Sequence, residues 1–431
     1  MAPLVVFRIF YGLLMSGAAL RFLLKGWVHE QYIEPSFHFK YYGFEWVHVL
    51  PPWGMYAAFV SMAVLGLFIA LGLRYRLSMV LYFLIFTYVE FIDVTYYLNH
   101  YYFMSMLAGL MIFVPAHRSF SLDVKWGVVK PYQTTPVFYR RALQALLALV
   151  YVYAGIAKLN PDWLFEAMPL RLWLPPHSDW PIIGPLFQYA ETAYFFAWAG
   201  AFYDLTIPLF LSLKRTRAIA YASVVFFHGI TAALFPIGMF PWIMMVATTL
   251  FFATSFHQAI YDKLTSIFNY SENAGEGPKT PKGLYYGWVV FMVWQIVWPF
   301  RYIAYPGEMF WTEQGYRFGW RVMLMEKVGY VQYRIESDGP NGTITTEVDP
   351  QDFLLPVQFK QMSTQPDLIL QFAHYLGDWA VENGLKNPRV YADAHATLQG
   401  RPLQQFIDPQ VDLLQQKDTF AAKFWILPHE K

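Results

Sequence analysis

Lys158 is the residue of this chain with most chemistry open to it. It lies in Ala154-Gly155-Ile156-Ala157-Lys158-Leu159-Asn160-Pro161-Asp162-Trp163, at the end of a strongly apolar run. An ionisable group at membrane depth is costly, and by default it marks a functional site. An amine that is neutral in such surroundings can act as a base near physiological pH. Two plainer roles compete: an amine reaching the interface along its apolar stem, or one paired with Asp162. Asn99-His100 sets an amide donor beside an imidazole, a pair suited to holding a developing oxyanion. The plainer reading is a polar pair at a helix start.

Further candidates among the ionisable groups inside apolar segments are Arg8, Glu90, Asp93 and Asp204. Asp93 lies two helical turns before His100, so one helix face can carry both. Glu90 and Asp93 can equally pair with Arg8 or with backbone groups. Asp204, close to Pro208, reads as structural, since a proline kink leaves carbonyls in need of partners. His228 sits in Phe226-Phe227-His228-Gly229 and leads into Phe235-Pro236-Ile237-Gly238-Met239-Phe240-Pro241-Trp242. Irregular backbone at membrane depth survives where it is buried or lines a cavity. The Met and Phe side chains of this turn suit a flat aromatic ligand. A tight hairpin with ordinary packing is the alternative. No HExxH is present and the 11 His do not cluster, so no metal site is expected.

The elements that must position these residues follow from composition. Of 431 residues 56% are hydrophobic and 14% charged, against about 25% charged in soluble domains. Lys+Arg 31 against Asp+Glu 30 leaves net +1, with no field for nucleic acid. Cys is absent, which excludes disulfides, thiol nucleophiles and Cys-ligated metals. Apolar windows at 4–24, 54–73, 77–97, 101–115, 142–157, 191–213, 218–236, 239–255 and 285–303 predict about nine membrane spans in a helical bundle. The first is too long and too weakly cationic to be a cleaved signal, so it is expected to be a span. One set of alternating loops carries 13 Lys and Arg, including Arg74, Arg140, Lys214 and Lys263. The other carries only Lys25, Lys40, Lys158 and Arg171. The positive-inside rule then sets the N-terminus in the cytoplasm.

Residues 1–303 therefore read as a transmembrane helical bundle and residues 304–431 as a small extracytoplasmic α+β domain. The tail alternates over Val328–Ile335 and Thr343–Val348 around Gly339-Pro340-Asn341-Gly342, and again over Val390–Leu398, as strands do. Asp367–Glu382 has helical spacing, with Ser363 or Thr364 available as a cap. Ser271 to Lys282 is a polar, Gly/Pro-containing linker.

In this order the segments resemble the vitamin K-dependent gamma-carboxylase family, within the horizontally transferred transmembrane domain (HTTM) group. The matching pieces are Leu71-Gly72-Leu73-Arg74-Tyr75-Arg76, Asn99-His100, Ala154-Gly155 with Lys158-Leu159 and Asp162-Trp163, Phe226-Phe227-His228, and Phe235 with Ile237-Gly238-Met239-Phe240. In the tail they are Trp311-Thr312, Gly315-Tyr316, Trp320 and Phe406-Ile407-Asp408-Pro409 with Val411-Asp412. The resemblance runs from about Phe7 to Pro428. It implies a membrane enzyme in which a lysine deprotonates a reduced naphthoquinone that takes up dioxygen. The basic species formed removes a glutamate γ-proton, and the carbanion captures carbon dioxide as the quinone leaves as its epoxide. By that resemblance Lys158 is the base, and His100 with Asn99 holds the quinol oxygen. His228, Met239, Phe240, Trp320 and Met323 line the ring pocket, and Arg171 holds the substrate carboxylate. The cofactors implied are reduced vitamin K or menaquinol, dioxygen and carbon dioxide, without metal. The partners implied are a glutamate-containing peptide or protein and membrane lipid.

The sequence departs from the family at several places. Animal members are longer and use cysteines. Tyr302, Gln358 and Met362 stand where substrate-binding cations are expected, so the quinol half of the reaction is matched more fully than the glutamate half. A compact chain without Cys fits a bacterial inner membrane, where menaquinol is the naphthoquinol at hand. Two further readings stay open. One is a quinol epoxidase or oxygenase of the same fold without peptide carboxylation. The other is a non-catalytic membrane binding or transport protein.

Overall fold

A computed structural model describes residues 1–430. The chain is mainly helical, with a four-stranded antiparallel sheet near its end. The helices that build the bundle are α1 (Ala2–Leu24), α2 (Pro52–Leu71), α3 (Tyr75–Glu90), α4 (Asn99–Phe113) and α5 (Val137–Ala157). They continue as α6 (Ala190–Ser212), α7 (Arg217–Leu234), α8 (Phe240–Thr248), α9 (Thr254–Ile267) and α10 (Lys282–Val297).

Five of these, α1, α2, α5, α6 and α7, are long and apolar enough to cross a membrane, and α8 with α9 makes a sixth if the bent pair counts as one span. Of the other windows, the third, eighth and ninth are shorter as helices than as apolar runs, and the fourth gives a helix too short to qualify. Hydropathy counts apolar residues, whereas a helix stops where a side chain competes for the backbone. Asp93 does so: its carboxylate accepts from the Thr95 N–H at 2.9 Å and the Thr95 hydroxyl at 2.7 Å, capping a 3-10 turn. Thus α3 has 16 residues and α4 has 15, and Asp93 and His100 share no helix face. In the eighth window Pro241 sits in the first turn of α8, where its missing N–H costs nothing, and the chain bends by 108° into α9.

Small residues set the closest helix approaches, as expected where lipid offers no hydrophobic drive between helices. At Gly12 on α1 a Cβ would stand 2.5 Å from the Gly66 carbonyl oxygen of α2. At Gly155 on α5 it would stand 2.8 Å from the backbone nitrogen of Leu205 on α6. The second contact brings the residue before Leu205, Asp204, alongside Lys158.

The tail forms β1 (Lys327–Gly339), β2 (Gly342–Val348), α11 (Pro356–Met362), α12 (Pro366–Glu382), β3 (Lys386–Leu398) and β4 (Gln404–Gln405), with sheet order β2-β1-β3-β4. Across the pair, Tyr333 faces Ala392 and Val331 faces Ala394, large against small. The inner face takes Leu368, Ile369, Phe372 and Leu376 of α12, all fully buried. Each such side chain contributes about 1.5–3 kcal/mol. Helix α12 starts after Gln365 with no side-chain cap, so neither Ser363 nor Thr364 caps it. Their hydroxyls bond back to carbonyls of α11 instead. Neither α11 nor β4 has a sequence signal of its own.

The tail is fastened to one end of the bundle. Arg401 donates to Asp162 at 2.6 Å, Trp173 to Glu326 at 2.6 Å, and Gln358 to Asp93 at 2.8 Å.

Candidate active site

Lys158 is the C-cap of α5, and its ammonium group lies 2.7 Å from Asp204 Oδ2 on α6. Both side chains are buried, at 7% and 6% exposure. The amine also reaches the Ala154 carbonyl at 3.3 Å and lies 5.2 Å from the Trp163 ring. Asp162, the nearer carboxylate in sequence, is occupied by Arg401. The Lys158–Asp162 pairing is therefore not made, and Asp204, read from the sequence as structural, is the partner. Two opposite charges inside separate apolar segments were the available signal, since such groups are stable there mainly as pairs.

This pair opens into an apolar cavity of about 130 Å³, walled by Trp163, Trp173, Phe227, His228, Phe235 and Met244 among others. His228 Nε2 is 2.8 Å from the Tyr151 hydroxyl, while its Nδ1 is buried without a partner. A larger cavity of about 680 Å³ lies beside it and holds Asn99, His100, Met239 and Glu90. Ile237, Phe240, Val322 and Met323 line both cavities. Phe240 stands between the two histidines, its ring 5.7 Å from His100 and 5.6 Å from His228. Lys158 and His100 thus face neighbouring chambers across a wall contributed by the Phe235–Phe240 turn and by residues 322–323.

Asn99 has a structural duty that the sequence did not reveal. Its amide donates to the Arg321 carbonyl at 2.6 Å and its oxygen accepts from Tyr97 at 3.1 Å, leaving one amide hydrogen uncommitted. Trp320 is fully buried and stacks on Tyr102 at 4.6 Å; it lines neither of the two cavities. Arg171 is exposed and also lies outside both. Arg8, fully buried, donates to the carbonyls of Ala116 and Ser119 rather than to Glu90 or Asp93.

The cations near the tail are mostly committed. Arg317 pairs with Asp367 at 2.5 Å and with Gln365. Arg321 donates to the Pro299 carbonyl and lies over the Tyr302 ring. Lys327 holds Glu313 at 3.1 Å and the Trp311 carbonyl at 2.6 Å. Burial pushes Lys327 down and Glu313 up from their ordinary values, each opposed by the other's charge. Burial would raise Asp367 too, but the Arg317 guanidinium outweighs it and holds that carboxyl below the usual range. Arg21 differs. It lines the large cavity with its guanidinium 4.8 Å over the Trp27 ring and makes no side-chain hydrogen bond or ion pair among the described residues.

Residues 1–256 match the HTTM domain, and residues 280–431 match the lumenal domain of vitamin K-dependent gamma-carboxylase. The chain belongs to the vitamin K-dependent gamma-carboxylase family. The two matches together span both the bundle and the tail, so this is a carboxylase-like membrane protein rather than a bundle alone. No solved structure matches the chain. No group of three or more possible metal ligands occurs among the described residues.

Proposed function

We propose that this protein is a quinol-dependent γ-glutamyl carboxylase that uses Lys158 as its base. The observation that carries the reading is the buried Lys158–Asp204 pair at the wall of an apolar, aromatic-lined cavity. Trp163, Phe235, Phe240 and Met323 offer flat and polarisable surface to a naphthoquinol ring, while the amine and His228 supply polar groups for its oxygens. Reduced vitamin K or menaquinol would supply, with dioxygen, the strong base that removes the glutamyl γ-proton. The Lys158 ammonium passes its proton to the Asp204 carboxylate 2.7 Å away, and the amine so freed accepts the quinol proton, leaving the Lys158 ammonium beside a neutral Asp204. The aromatic walls exclude water from that site. His100 acts on the ring through Phe240, which it backs at 5.7 Å from the second chamber that it shares with Asn99. Arg21 in the large cavity and Arg171 at its exposed position are the candidates to hold the substrate carboxylate.

We take residues 1–303 as the transmembrane bundle, with α3, α4, α8 and α10 completing nine segments, and 304–431 as the extracytoplasmic domain. The N-terminus is then cytoplasmic, and the setting is a bacterial inner membrane.

A second reading, quinol epoxidation without peptide carboxylation, is favoured by the committed state of Arg317, Arg321 and Lys327. Few free cations remain to receive a glutamate. The test measures epoxide and peptide-bound label together, using reduced vitamin K, labelled bicarbonate and a glutamate-rich peptide. Both products support carboxylation; epoxide alone supports the second reading.

A further inference from the structure

At the end of the bundle remote from Lys158, a separate cavity of about 240 Å³ is lined by Arg140, Arg141 and Arg217. Arg140 and Arg141 open α5, roughly 25 Å along that helix from Lys158. The guanidiniums stand close enough that Arg141 and Arg217 both repel Arg140. None of the three forms an ion pair with a carboxylate among the described residues. Part of their placement is local: Arg140 donates to Leu250 and Phe252 carbonyls, and Arg217 to those of Leu211 and Ser212. Arg140 also donates to the Thr254 hydroxyl at 3.3 Å, and the helix-end carbonyls offset part of the charge, but no carboxylate neutralises the three guanidiniums. Arg141, exposed, touches only the Gln144 side chain at 3.2 Å, so most of its five donors are unused.

The same cavity also receives the start of α9, a 14-residue helix whose N-cap, Ala253, offers no side-chain acceptor. Its first backbone N–H groups add their dipole to the guanidiniums, and this is the arrangement that favours a phosphate. Three exposed apolar side chains lie close by: Val137 lines the cavity, Phe256 packs at 4.7 Å on its lining residue Phe252, and Leu213 follows its lining residue Ser212. We infer that this cavity binds the phosphate of an anionic phospholipid headgroup, with the acyl chains lying along the exposed apolar side chains. A free phosphate would use the same cations but not the apolar flank.

The test uses the full chain in detergent, with phosphatidylglycerol, phosphatidylcholine and inorganic phosphate as probes, followed by native mass spectrometry. Phosphatidylglycerol should be retained most tightly. Arg141→Gln with Arg217→Gln should weaken it by roughly 25-fold, about fivefold for each guanidinium removed. Arg141→Gln alone, which breaks only the Gln144 contact, should weaken it about fivefold without changing the melting temperature. It decides the matter if the double variant misfolds. Displacement by inorganic phosphate at similar concentration would keep the phosphate site and assign it to a free anion. Equal retention of the two lipids, or no change in Arg141→Gln, would overturn the inference.

Discussion

Lys158 and Asp204 meet at 2.7 Å because α5 and α6 close on each other at Gly155, one turn before the lysine. Sequence separates the two residues by 46 positions, and a missing side chain brings them together.

Removing one partner of this pair leaves an uncompensated charge in a buried site, a loss of about 3–5 kcal/mol. Asp204→Asn should therefore lower the melting temperature and reduce quinol turnover, with full-length protein still inserted. Lys158→Ala with Asp204→Ala removes both charges and should recover much of the stability while staying inactive. Melting curves and turnover on wild type, Asp204→Asn and the double variant separate the stability of the pair from its chemistry.

Gly155→Ala adds one carbon where the Leu205 backbone already stands at 2.8 Å. Helix α6 must retreat, and Asp204 retreats with it. We expect activity to fall at least tenfold, with a destabilisation of about 1–3 kcal/mol. Gly17→Ala on α1, where no atom stands within 4 Å and which lines neither cavity, is the control and should be nearly silent.

Phe240 separates the chamber of Lys158 from that of His100. Phe240→Ala merges them and removes ring contacts worth about 0.5–1.5 kcal/mol. The KM for the naphthoquinol should rise roughly tenfold, with a smaller change in KM for peptide. Arg21→Gln should show the opposite split, raising KM for peptide while leaving epoxide formation on quinol alone intact.

The acid limit of the tail domain follows from Asp367, held below the ordinary carboxylate range by Arg317 against the opposing effect of burial. A carboxylate depressed in the folded state contributes stability that is present above its unfolded pKa and lost as pH falls through the folded value. Protection of α12 from hydrogen exchange should hold through neutral and mildly acidic pH and fail below about pH 4. In Asp367→Asn the same region should be less protected at pH 7 and flatter in its acid dependence.

Much of this was legible in the residues because apolar length, strand alternation and a lone lysine are local signals. The hairpin at Gly339–Gly342, α12 and the long helices emerge near their expected places. The departures come from contacts between distant residues. Asp93 ends a helix by capping its own backbone, and Arg401 takes Asp162 away from Lys158. Trp320 turns onto Tyr102 rather than into the chamber of Lys158 or that of His100. In sequence, Arg21 carries no signal beyond that of an arginine near a helix end, which reads as an interfacial anchor. Only the fold shows it facing the cavity of His100.

The central claim is that Lys158 starts the reaction. The direct measurement follows epoxide and peptide-bound label from reduced vitamin K, labelled bicarbonate and a glutamate-rich peptide. It compares wild type, Lys158→Ala and the Lys158→Ala/Asp204→Ala double variant. The account predicts both products in wild type and neither in the two variants, although the double variant is well folded. Undiminished epoxide formation in the folded double variant would contradict it.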